Sequence, residues 1–146
     1  MDLDWEKLVK RYVWHDERTP YFTRVARLTA VQARYELFAY CVFMAVLFGV
    51  LAVVALSERL PHGAAAIVPL YAFSVLCAAV LLGATRNRAA AAYCAAAPLA
   101  LLAYFAAWGF PAELSALDHA VLIAAPIAWF IYSLRVLAVI RAFPER

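Results

Sequence analysis

Charge is what this chain has least of. Of its 146 residues, 16% are Asp, Glu, Lys or Arg, against 68% in the hydrophobic set, and the mean hydropathy is +0.79. A soluble domain is nearer half apolar and a quarter charged, and no core of 16.1 kDa could hide so much hydrocarbon from water. A soluble globular protein is therefore excluded. So is disorder, which goes with few aromatics and aliphatics. Cysteine is scarce too: Cys41, Cys77 and Cys94 are too few for a disulfide framework. Four glycines leave little from which to build a phosphate cradle, and no HExxH, nucleophile-elbow or zinc pattern occurs. The alternating ten-residue strands of a membrane β-barrel are also missing.

Long apolar runs are what the chain has instead. Crossing a hydrocarbon core of roughly 30 Å takes about 20 apolar residues. Four stretches qualify, at about 37–56, 64–84, 89–110 and 117–142, the last interrupted by Arg135. Their connections are short, which makes successive helices antiparallel neighbours. The expected fold is an all-α integral membrane protein, four transmembrane helices in an up-down-up-down bundle. Residues 1–33 form a cytoplasmic arm, 34–142 the bundle and 143–146 a tail. Thr29 and Gln32 make a capping box ahead of the first run, and Ser115 and Asp118 a similar one ahead of the fourth.

Cation placement predicts the orientation. With the N-terminus inside, Lys7, Lys10, Arg11, Arg18, Arg24, Arg27 and Arg34 precede the first span. Arg86 and Arg88 fill the second loop, and Arg135, Arg141 and Arg146 mark the C-terminal end. Of the 13 Lys and Arg, Arg59 alone then lies outside, so both termini are expected in the cytoplasm. Arginine far outnumbers lysine and alanine comes in long runs, a composition that suggests a GC-rich bacterial genome, so the expected location is a bacterial inner membrane. The formal charge of +3 follows from this topology and calls for no nucleic-acid partner.

Residues 2–14 read as an amphipathic helix, with Trp5, Leu8, Val9 and Tyr12 on one face and Glu6, Lys7, Lys10 and Arg11 around the other. Such a helix lies in the headgroup region or docks a partner subunit. Glu36 and Arg135, both near the cytoplasmic ends of their helices, are the only candidates for ionisable groups within the membrane, and they are expected to form an intramembrane charge pair. Pumps and ion carriers keep ionisable groups at mid-membrane, and here there are none. Ala89, Ala92, Ala96, Ala100, Ala103 and Ala107 recur at steps of three and four, a seam for close helix packing. Ala45, Gly49 and Ala52 form a shorter one. Pro69, Pro98 and Pro126 place a kink in each of the last three helices.

No catalytic residue and no cofactor is expected. At the outer end His62, His119, Asp118 and Glu113 are the donors that could hold a metal, though an ordinary polar rim accounts for them. Trp129 and Phe130 leave room for a bound lipid, quinone or pigment. The function expected is that of a non-catalytic accessory subunit, packing against larger membrane-protein subunits and lipids. The alternative is a small homo-oligomeric transporter or channel for a neutral or hydrophobic solute. A third reading is a quinone- or metal-linked redox protein using His62 and His119.

Overall fold

The computed structural model describes residues 23–56, 67–110 and 114–143. Of these residues, 90% are helical and none is in a strand. After a 3-10 turn at Val25–Arg27 come four long helices: α1 (Ala30–Leu56), α2 (Ile67–Thr85), α3 (Arg88–Trp108) and α4 (Ala116–Ala142). At about 1.5 Å per residue they measure about 40, 28, 32 and 40 Å. All four are long and apolar enough to cross a membrane.

Local chemistry sets most of the ends. Thr29 and Gln32 cap α1 reciprocally: the Thr29 N–H donates to Gln32 Oε1 (3.0 Å) and the Gln32 N–H to Thr29 Oγ1 (3.3 Å). Beyond the end of α2, the Arg86 N–H returns to the Leu82 carbonyl (2.9 Å), with Arg86 in the left-handed region at φ 47°. The very next residue, Asn87, caps α3 through Oδ1, which accepts from the N–H groups of Ala89 (2.7 Å) and Ala90 (3.4 Å). A two-residue turn thus joins α2 to α3. The third span, expected to reach residue 110, stops at Trp108, because Gly109 takes φ 78° and its N–H closes on the Phe105 carbonyl. Ser115 and Asp118 form a full capping box at the start of α4.

Contacts fix how the helices run. Gly83 of α2 lies against Cys41 of α1, where a methyl would meet the cysteine Cβ and Sγ at 3.6 Å. Phe48, further along α1, meets Tyr71, earlier along α2, with ring centroids 6.3 Å apart. The two helices therefore run in opposite directions. The buried core joins all four helices, with Met44, Val75, Cys94 and Val136 among its members. Close backbone approach is concentrated in the α1–α2 and α3–α4 pairs, while α1 and α4 approach at few points.

Two interior prolines, Pro98 and Pro126, stand within α3 and α4, and both are buried. Pro69 falls in the first turn of α2 as described. Between 22% and 33% of each apolar window is buried within the chain. The remaining surface is hydrocarbon, so lipid or another protein must cover it.

Candidate functional site: the polar seam between α1 and α4

Where α1 and α4 stand apart, large side chains bridge them. Glu36 sits six residues into α1, about 9 Å from its start, and is 1% exposed. Arg135 approaches from α4, seven residues before its end. Its Nε donates to Glu36 Oε1 at 2.6 Å and its Nη2 to Oε2 at 3.2 Å, a two-point fork on one carboxylate. The carboxylate side chain is wholly covered, whereas the Arg135 side chain keeps 20% exposure. Arg135 is the member whose side chain still reaches the surface of the chain.

One turn further along α1 the polarity continues. Ser133 Oγ donates to the Trp129 carbonyl (2.9 Å), which uses the one hydroxyl proton of the serine. The 3.0 Å contact between Tyr40 and Ser133 is therefore a tyrosine O–H donated to Ser133 Oγ. Tyr40 is 3% exposed, so the interfacial belt position its type suggests is not the one it takes. Its ring leans on Tyr132 (6.1 Å). Beyond it Trp129 packs edge-on to Phe43 (5.8 Å) and against Phe48 (6.1 Å). Among the described residues the buried Trp129 Nε1–H has no hydrogen-bond partner. Going from Glu36 to Tyr40 to Phe43 along α1 matches Arg135, Ser133 and Trp129 in reverse order, so α1 and α4 are antiparallel. A second hydroxyl pair links α2 to α3, Tyr93 to Ser74 at 2.7 Å.

Replacing Tyr40 by Phe tests how much the hydroxyl contributes. Interhelical hydrogen bonds in membranes average about 0.6 kcal/mol. Tyr40→Phe should lower unfolding stability in mixed micelles by about that much, since Ser133 keeps its bond to the Trp129 carbonyl. A loss of several kcal/mol would mean that the hydroxyl organises the seam.

Among the described residues, the other candidates are not gathered into a site. Asp118 Oδ2 accepts from the Ser115 N–H (3.0 Å) and Oγ–H (2.7 Å), so it serves the helix start. His119 Nδ1 donates to the Ser115 carbonyl (2.8 Å) and its ring meets the Phe110 face edge-on. His62 and Glu113 lie outside the described residues, as do Trp5, Leu8, Val9 and Tyr12 of the amphipathic arm. Among the described residues no group of three His, Cys, Asp or Glu could hold a metal. Cys41 and Cys94 are buried and Cys77 is exposed, all three as free thiols.

The alanine seam of α3 takes a different line from the one its spacing suggests. The buried side of α3 is Ala90, Ala91, Cys94, Ala95, Ala97 and Pro98. Ala89, Ala92, Ala96, Ala103 and Ala107 are exposed and Ala100 is half-buried. At about 100° per residue the two sets stand on roughly opposite sides of the helix. In α1, Ala45, Gly49 and Ala52 are half-buried, and a methyl added at Gly49 would meet nothing within 4 Å. Among the described residues, then, neither small-residue line is the surface of closest approach.

Neither the family models, nor the curated proteins, nor the solved structures contain a match to this chain.

Proposed function

We propose that this chain is a multi-pass protein of a bacterial inner membrane, an up-down-up-down bundle with both termini in the cytoplasm. Its role is that of a non-catalytic accessory subunit that packs against larger membrane-protein subunits. The orientation rests on the cation distribution, with Arg59 alone left outside.

One observation carries the subunit role: the outward line of small residues on α3, Ala89, Ala92, Ala96, Ala103 and Ala107, opposite its buried side. Lipid tails pack as well on leucine as on alanine. Helix–helix contacts in a membrane are enriched in small residues, which let backbones come close. A second contact is assigned to the amphipathic arm, through Trp5, Leu8, Val9 and Tyr12, in keeping with their common helical face.

The test is gentle detergent extraction of the tagged chain from its native host, followed by mass spectrometry of what accompanies it. Wild-type protein should bring larger membrane subunits at a fixed ratio. Ala96→Leu with Ala103→Leu should lose them while the variant still inserts, because both positions are exposed on the isolated chain. Recovery of the wild type alone, as a monomer or homo-oligomer, would overturn the subunit role and make solute flux in proteoliposomes the next assay.

A further inference from the structure

One end of the molecule gathers positive charge on a folded surface. Leu28, Ala33 and Val139 form a small buried cluster with Val25 and Phe143 packed on it. This cluster fixes the 3-10 turn at Val25–Arg27 against the last turn of α4. Four arginines ring it by their places in the chain: Arg24 beside Val25, Arg27 beside Leu28, Arg34 beside Ala33, and Arg141 between Val139 and Phe143. All four are exposed, and none has an ion-pair partner among the described residues. The carboxylates that are described lie elsewhere in the balance of charge. Glu36 is held by Arg135, and Asp118 caps the opposite end of α4.

An apolar track begins directly under this charge. Arg34, Phe38 and Val42 follow one another at steps of four along α1, with Tyr35 at their side. Phe38 is 65% exposed and Val42 44%. Arginine's planar fork suits phosphate oxygens, and exposed hydrocarbon beneath it suits an acyl chain. A free phosphate would use the first feature and leave the second unused.

We propose that this end of the molecule binds the headgroup of an anionic phospholipid through Arg24, Arg27, Arg34 and Arg141, with an acyl chain along Phe38 and Val42. The site rests on the membrane placement given above and is independent of the subunit role. The arginines of the two-residue turn, Arg86 and Arg88, lack the docked cluster and the track and serve as the internal comparison.

The experiment titrates short-chain phosphatidylglycerol, phosphatidylcholine or inorganic phosphate into the full chain in uncharged detergent. Bound adducts are read by native mass spectrometry and stabilisation by thermal unfolding. Phosphatidylglycerol should bind and stabilise, with the effect fading at high salt. Each arginine near an anionic surface is worth about fivefold in affinity, so Arg24→Gln with Arg27→Gln should weaken binding about 25-fold. Arg34→Gln with Arg141→Gln, a second pair in case the first perturbs the turn, should do the same. Arg86→Gln with Arg88→Gln should leave affinity unchanged. Indifference to headgroup, equal losses in all three pairs, or equal binding of inorganic phosphate would overturn the lipid site alone. A chain that fails to enter micelles at all would overturn the membrane placement with it.

Discussion

Arg135→Met should destabilise the protein by about 3 kcal/mol, whereas adding Glu36→Met to it should restore most of the loss. Breaking a buried pair by removing one partner typically costs about 3–5 kcal/mol, because the other charge stays behind uncompensated. The 20% exposure of the Arg135 side chain puts the pair toward the lower end. Glu36 cannot relieve the loss by reaching water, since its side chain is wholly covered. Glu36→Met alone should cost less, because Arg135 can extend toward the interface. Replacing both by methionine removes both desolvation costs and keeps the volume, which is often neutral. The measurement is unfolding in mixed micelles for the four members of the double-mutant cycle. Equal losses for the double variant and Arg135→Met would mean that the fork aligns α1 and α4 rather than merely neutralising charge.

Ala97→Leu should be the most damaging single alanine replacement on α3. Ala97 is 1% exposed and faces the interior, where the added side-chain volume has no room. Overpacking of this kind costs about 1–3 kcal/mol. Ala96→Leu, one residue earlier, should leave the isolated chain within about 0.5 kcal/mol of wild type, as surface changes usually do. The same unfolding assay compares them. Equal damage from Ala96→Leu would mean that α3 turns its Ala96 side inward.

The spans were legible in the sequence because their signals are local. An apolar run long enough to cross a bilayer, a Thr–Gln or Ser–Asp cap and a glycine at a helix end each act within a few residues. The Glu36–Arg135 contact could be anticipated from depth alone, since Glu36 lies about two turns from the start of α1 and Arg135 about two turns from the end of its antiparallel partner α4. Helix-wheel reasoning would have missed it. Arg135 stands about 200° round α4 from Ser133, so both meet α1 only because the arginine side chain is long. Tyr40 left no such trace, because a belt tyrosine and a buried one look alike until a partner such as Ser133 is found. For α3 the difficulty was different: residues 89–92 and 95–97 are all alanine. With alanine on both the inner and the outer side, periodicity cannot say which of the two turns inward.

That uniformity gives the two-residue turn a second consequence. Arg86 occupies a backbone region that disfavours side chains by roughly 1–2 kcal/mol, and Asn87 is already spent on the α3 cap. The turn has no slack. Adding two residues there would spin α3 by about 200° and carry the Ala96 side inward. The incoming alanines are the same size as those they would displace, whereas Tyr93 would leave Ser74. The rotational phase of α3 is therefore set as much by the count of residues in a hairpin bend as by the few side chains, such as Tyr93, that distinguish its faces. A two-residue insertion at that bend would exchange the inner and outer surfaces of the helix while leaving its composition untouched.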